Sequence, residues 1–180
     1  MKKIIIYFHG LNSSHNSDKV ERLKSGFPDD YVHAFPINID PDIAIPELEN
    51  NINNVLIDHL NEEIILFFVG TSLGAWWANK FGNEYLCTAI IINPSPNPQH
   101  SLLNYGIPLD ICQKYSDIAY YPEKDYYFFA KYDEVIEHSI DWSWPHINLY
   151  NSANVGHRFC GPEFNDVISL IKKLSKYNQI

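Results

Sequence analysis

The sequence predicts an α/β fold, a mostly parallel sheet of about six strands with helices on both faces. Three observations predict it. Short, continuous apolar runs recur along the chain, helix-compatible stretches separate them, and the last such stretch carries an apolar stripe at helical spacing. Apolar runs without polar alternation are what strands look like when both faces of a sheet are covered. Strands alternating with helices imply right-handed crossovers and parallel pairing.

The elements follow in order. Ile4–Phe8 is the first run. Ser17 is placed as the N-cap of a helix over Asp18–Ser25, which Gly26 stops. Tyr31–Phe35 is a weaker strand. Pro46–Leu60 puts Leu48, Ile52, Val55, Leu56 and Leu60 on one helical stripe. Ile64–Val69 is a strand, Ala75–Phe81 a helix-compatible run, and Ala89–Ile92, Tyr126–Ala130 and Ile147–Tyr150 the remaining strands. Gly161-Pro162-Glu163 opens the last helix, with proline at a tolerated first position. Phe164, Val167, Ile168, Ile171 and Leu174 form its stripe, and Lys172 and Lys173 near its end suit the helix dipole. Between Pro94 and Glu123 the prolines at 94, 96, 98, 108 and 122 exclude a long helix. That stretch reads equally as a cover over one sheet edge or as an ordinary crossover with one short helix.

The 180 residues suit one domain spanning 1–180, with the irregular segment around 94–123 as its cover. Hydrophobic residues make up 46% and charged residues 19%, so the chain reads as globular. Thirteen basic against 22 acidic residues give a net charge of −9. That balance opposes binding to nucleic acid, which needs Lys and Arg to displace counterions, and it gives no polybasic signal for anionic membranes. Strongly anionic substrates should also be slowed unless a local Lys or Arg receives them. Cys87, Cys112 and Cys160 make no disulfide framework and no CxxC pair. The eight histidines form no HExxH and no zinc spacing, so no metal or other cofactor is expected. The apolar stretch near Met1 is too short for a signal peptide, and no segment approaches ~18 consecutive apolar residues. A soluble cytoplasmic protein without stable membrane insertion is the expectation.

The sharpest chemical signal is Gly70-Thr71-Ser72-Leu73-Gly74, between the strand Ile64–Val69 and the helical run from Ala75. This is the strand–turn–helix setting of a nucleophile elbow. It lacks the Gly-Lys-Ser/Thr ending of a phosphate-binding loop. The turn strains the serine so that Oγ projects above the sheet, and small residues are needed on either side. A compact α/β-hydrolase fold follows, with Ser72 as nucleophile and the Leu73 N–H as one oxyanion donor. A serine hydroxyl needs a base, and the fold orders its triad Ser, acid, His. Of the histidines after Ser72, His157 lies between the last strand and the last helix, where the fold delivers its base. His146 begins a strand, and His138 and His100 lie on earlier connections. The acid should follow Tyr126–Ala130; Asp133 is the choice and Glu134 the neighbour one register away, with Asp125 before the strand and Asp141 further along the connection. Gly10, after the first strand, permits a turn that aims the Leu11 N–H as second oxyanion donor. His9 beside it is read as bracing that loop. Leu102, Leu103, Tyr105, Ile107 and Leu109 could wall an apolar acyl cleft, with Trp142 and Trp144 as a further wall.

Tyr7-Phe8-His9-Gly10-Leu11-Asn12-Ser13-Ser14, the segment 70–78, Ile92-Asn93-Pro94, Asp133-Glu134-Val135 and Gly156-His157-Arg158-Phe159 together resemble the YqiA/YcfP-type bacterial esterases, the uncharacterised-protein family 0227 of the α/β-hydrolase superfamily. The elbow alone is generic, and its combination with the His-Gly-x-Asn-Ser-Ser opening is much more specific. The resemblance implies a compact hydrolase core and Ser72, Asp133 and His157 as the triad. It also implies activity on acyl esters, with acyl-CoA thioesters as a variant. The expected reaction is hydrolysis of carboxylic esters of small to medium acyl chains through an acyl-enzyme, with a small-molecule acyl ester as the partner. A thioesterase or small peptidase on the same triad, and a non-catalytic binding protein of the same shape, are the alternatives.

Overall fold

The computed structural model describes residues 1–138 and 145–177. Among them, six strands form one sheet: β1 (Lys2–Phe8), β2 (Tyr31–Ala34), β3 (Ile64–Thr71), β4 (Thr88–Ile92), β5 (Tyr126–Ala130) and β6 (Ile147–Tyr150). Their order is β2-β1-β3-β4-β5-β6, and every neighbouring pair is parallel. Three long helices connect strands, α1 (Asp18–Gly26), α2 (Pro41–Asp58) and α3 (Leu73–Glu84). Two one-turn helices, α4 (Pro98–Ser101) and α5 (Leu109–Cys112), interrupt the connection after β4, and α6 (Phe164–Tyr177) follows β6.

The side-chain alternation of β1 explains why its run is apolar throughout. Ile4, Ile6 and Phe8 pack toward α2 and α3, against Leu48, Ile52, Trp77 and Phe81. Ile5 and Tyr7 pack on the opposite face, against Val20 and Leu23 of α1 and Phe164, Val167 and Ile171 of α6. Each face therefore buries its own core, and a polar residue on either would lose its water without gaining a partner.

Several details differ from the sequence reading, among them Gly26, which lies inside α1 with Phe27 as the C-cap. Helix α2 begins at Pro41 rather than Pro46: Asp40 caps it, its carboxylate accepting from the Asp42 N–H, and Pro41 holds the first helical position. Pro46 is tolerated inside because the bond it forgoes is only to the first-turn carbonyl of Asp42. Ser17 stands at the N-cap of α1, but its hydroxyl makes no capping bond. Gly161-Pro162-Glu163 forms tight turns ahead of α6, with Phe164 N–H donating to the Gly161 carbonyl, and the regular helix starts at Phe164.

The topology fixes where a site can form. From β1 the chain passes to α1 on one face of the sheet, and from β3 to α3 on the other. Adjacent strands whose connections part in this way leave a crevice at their carboxyl ends, where open α/β sheets take ligands. In the pairing of β1 with β3, Phe8 lies opposite Gly70, so the loop from His9 and the turn at Ser72 share that crevice.

Candidate active site

Ser72 joins β3 to α3 with φ 59° and ψ −122°, a left-handed conformation rare for a residue with a side chain. Such a backbone costs roughly 1–3 kcal/mol and persists only where the surroundings impose it. Here they do. The Ser72 N–H donates to the Ile92 carbonyl at 2.9 Å, and its carbonyl accepts from Ala75 at 3.0 Å and Ser95 at 3.3 Å. The flanking glycines are required by contact. A Cβ on Gly70 would stand 2.0 Å from the Gly74 carbonyl oxygen, and one on Gly74 2.1 Å from that of Phe8. Any side chain at either position would therefore push β1, β3 and α3 apart.

Leu73 is the first residue of α3, so its N–H has no intrahelical acceptor. Leu11 follows Gly10, whose Cα lies close enough to the elbow that a Cβ there would meet the Thr71 carbonyl at 3.0 Å and Ser72 Cβ at 3.2 Å. Among the described residues neither the Leu11 nor the Leu73 N–H has an acceptor. His9 Nδ1 donates to the Gly10 carbonyl at 3.0 Å, and burial lowers the imidazole's proton affinity. His9 thus braces the loop that carries Leu11.

His157 is buried, and its Nδ1 lies 2.8 Å from Asp133 Oδ2. Glu134 reaches the same loop differently: its Oε2 accepts from the His157 backbone N–H at 2.9 Å. The two adjacent carboxylates thus divide the work, Asp133 holding the ring and Glu134 the backbone. Asp133 Oδ1 accepts from the Val135 and Ile136 N–H groups at 2.8 and 2.9 Å. Burial alone would raise the Asp133 carboxyl, but hydrogen bonds from His138 and His157 hold it well below the usual carboxylate range. It stays ionised beside the imidazole.

Two residues of the site escape the sequence reading. His138, set aside there as lying on the wrong connection, donates from Nε2 to Asp133 Oδ2 at 3.0 Å. It packs edge-on against Phe129 at 4.9 Å, and its buried Nδ1 has no partner among the described residues. The connection turns back immediately after Asp133, which puts a residue five positions on beside the carboxylate. Asn93, fully buried at the end of β4 with φ 40°, is the second. Its Nδ2 donates to the Gly156 and His157 carbonyls at 3.3 and 3.0 Å, and its Oδ1 accepts from the Ala130 N–H at 2.7 Å. One amide therefore ties the end of β5 to the histidine loop. Its local sign is an asparagine directly after an apolar strand, within the Ile92-Asn93-Pro94 segment that the family resemblance includes without giving it a role.

Ser72 and His157 line one cavity of about 980 Å3, together with Leu11 and Leu73. Of the expected apolar wall, Leu102 and Tyr105 face it, joined by Val135 and Ile136. Leu103 and Leu109 are exposed, and Ile107 packs on the core. Trp142, Trp144 and Asp141 lie outside the described residues. Asp125 is shifted in the other direction, pushed up to about 6 by burial. It accepts from the Ala89 N–H at the opposite end of the sheet, remote from Ser72. Burial pushes the Cys87 thiol up to about 12, which leaves it unreactive. Among the described residues, no group of three His, Cys, Asp or Glu side chains is placed to hold a metal ion, and no helix is long and apolar enough to cross a membrane.

Known proteins share this architecture. The family model "Uncharacterised protein family (UPF0227)" matches residues 4–141. A UPF0227 protein from Shewanella woodyi is 28% identical over 119 residues, 64% of this chain and 63% of the relative, so the chain aligns with under two thirds of that relative's length. Among solved structures, an esterase from Pyrococcus furiosus superposes with a TM-score of 0.66 at 14% identity, covering 98% of this chain and 81% of the esterase. Alpha/beta hydrolase domain-containing protein 10 from mouse does so with a TM-score of 0.60 at 15% identity, covering 98% and 90%. At such identities the likeness is one of fold, and the fold is that of the α/β-hydrolases.

Proposed function

The chain belongs to the uncharacterised protein family UPF0227, and from that premise we propose that it is a serine hydrolase cleaving carboxylic esters of small to medium acyl chains, with Ser72, His157 and Asp133 as its triad. One observation carries the reading: a strained serine at a glycine-flanked elbow shares a cavity with a histidine whose Nδ1 is held by a buried, ionised aspartate. A serine held in that backbone conformation between strand and helix is what a nucleophile elbow requires.

The steps follow from proton positions. With its Nδ1 proton directed at Asp133, neutral His157 keeps a lone pair on Nε2. Nε2 takes the Ser72 hydroxyl proton as Oγ attacks the ester carbonyl. The carbonyl π electrons move onto oxygen, where the unpartnered N–H groups of Leu11 and Leu73 are available to bind the charge. Asp133 stabilises the imidazolium without accepting its proton. His157 then gives that proton to the departing alkoxide, leaving the acyl group on Ser72. Water repeats the sequence in reverse, with Nε2 as its base, and frees the acid.

The test is acyl-enzyme formation. Mixing the protein with 4-nitrophenyl butyrate should release a burst of nitrophenol near one equivalent, or a mass increase of one butyryl group on Ser72 after acid quench. The Ser72→Ala protein should show neither. Hydrolysis retained by Ser72→Ala would remove Ser72 from the mechanism.

A further inference from the structure

We propose that the cavity is built for an ester that carries an anionic group, received by Lys19 and Arg158. The inference rests on the hydrolase reading for the reacting end of the substrate, but its own evidence lies elsewhere in the cavity. Besides Leu102, Tyr105, Val135 and Ile136, the cavity is lined by residues of α1 and of the loop after His157, among them Lys19 and Arg158. Neither makes a hydrogen bond or ion pair with any described residue. Lys3 pairs with Asp30, Lys114 with Asp40 and Asp42, and Arg22 is spent on the Cys160 and Gly161 carbonyls and Asn165, whereas Lys131, Lys172, Lys173 and Lys176, which also have no such partner among the described residues, lie outside this cavity.

Arg158 is solvent-exposed, but the placement of Lys19 is costly without a ligand. Lys19 is half-buried, and both burial and the neighbouring charges of Arg158 and Arg22 disfavour its ammonium, while Asp18 and the Cys160 thiol favour it. Asp18 also lines the cavity, but its carboxylate is solvent-exposed and reaches no hydrogen bond with Lys19. Two cations held together over a reaction cavity, in a chain of net charge −9, are most simply accounted for by an anion that binds between them. The overall charge would repel such a substrate at distance, so recognition must be local and salt-sensitive. A cavity lined by apolar residues, two cations and Ser72 fits an ester with a hydrocarbon part and a carboxylate or phosphate part.

The experiment separates this site from the chemistry. In the first measurement, the Ser72→Ala protein is titrated calorimetrically with monomethyl succinate and with methyl 4-methylpentanoate, whose two methyls replace the carboxylate oxygens. The succinate should bind at least tenfold more tightly, and the advantage should vanish in Lys19→Met/Arg158→Gln and in 0.5 M NaCl. The second measurement uses the unmodified active site. The ratio of kcat/KM for 4-nitrophenyl hemisuccinate to that for 4-nitrophenyl 4-methylpentanoate should fall at least tenfold in the double variant. A parallel pair, 4-carboxyphenyl and 4-isopropylphenyl butyrate, shows whether the anion sits on the acyl or the alcohol side. Equal binding of the two methyl esters, or a ratio that the double variant leaves unchanged in both pairs, overturns the anion site. Tight succinate binding without turnover of any ester would instead overturn the hydrolase reading and leave the anion site standing.

Discussion

Asp133→Asn reaches the site through one atom, and its effect can be worked from the contacts. Oδ1 of Asp133 accepts from the Val135 and Ile136 N–H groups, while Oδ2 accepts from His157 Nδ1 at 2.8 Å and His138 Nε2 at 3.0 Å. An asparagine must keep its oxygen toward the two backbone donors, so its NH2 group takes the place of Oδ2. That group donates. His157 Nδ1 must now accept, its proton moves to Nε2, and the atom that should receive the Ser72 proton is already occupied. A triad locked in the wrong tautomer loses about 10⁴-fold in kcat, which is about 5 kcal/mol of barrier. His138 faces the same donor and must carry its proton on the partnerless Nδ1. Leaving a buried donor unsatisfied costs roughly 1–3 kcal/mol, so Tm should fall by about 2–10 °C without loss of fold. The control is Glu134→Gln, which keeps an oxygen for the His157 backbone N–H and should hold kcat within about tenfold of the parent. Steady-state hydrolysis of 4-nitrophenyl butyrate, with thermal melting of each variant, reads both effects. An active Asp133→Asn beside a crippled Glu134→Gln would refute the reasoning and move the acid to Glu134.

Asn93→Ala should leave the Ala130 N–H and the His157 carbonyl unpaired, the Gly156 carbonyl keeping the Phe159 N–H, costing about 2–4 kcal/mol. It should also lower kcat more than it raises KM, because the loop of His157 loosens; a Tm within 1 °C of the parent would contradict this. His138→Phe removes one N–H from Asp133 and leaves the carboxylate charge freer to favour imidazolium at His157, so the acid limb of the kcat/KM–pH profile should move to higher pH. An unmoved limb at full activity would reduce His138 to packing. The depressed Asp133 carboxyl contributes stability that is fully present above the usual carboxylate pH of about 4 and is lost as pH falls through its lower folded value. The Tm gap between parent and Asp133→Asn should therefore shrink as pH falls below about 4; a gap that widens as the pH is lowered from about 4 would reverse the sign. Neutral nitrophenyl esters should gain about fourfold in kcat/KM per added carbon, from ~0.8 kcal/mol per buried methylene, until the chain meets Leu102 and Tyr105. A flat response from acetate to octanoate would show there is no acyl pocket.

What was legible in the sequence is what is local. The run Tyr126–Ala130 is the strand itself, because apolar continuity marks a strand buried on both faces, and Ile147–Tyr150 is the strand too, although as the edge of the sheet it is only partly buried. Gly70 and Gly74 signal the elbow because the backbone contacts that forbid a Cβ lie within the motif and its neighbouring strand. The start of α2 was missed because Pro46 looks like a first-turn proline, while Pro41, preceded by its capping Asp40, is the true one. Asn93 and His138 were missed for a different reason. Each acts through partners set by topology: Asn93 through β5 and a loop over sixty residues away, His138 through a turn whose direction no spacing reveals. Sequence order excluded His138 as a base, and it is still not placed as one; it bonds to the acid instead. Lys19 and Arg158 are 139 positions apart in the chain, and nothing but the packing of α1 beside the histidine loop brings them to one wall.

The central claim is that Ser72 is a nucleophile activated by His157. A fluorophosphonate answers it without knowledge of the substrate, since it phosphonylates only a serine whose hydroxyl proton is being withdrawn. The protein should gain one phosphonyl group by intact mass, and peptide mapping should place it on Ser72. His157→Ala should react far more slowly, and Ser72→Ala not at all. A parent protein that stays unlabelled, or a label that persists on Ser72→Ala, would contradict the claim.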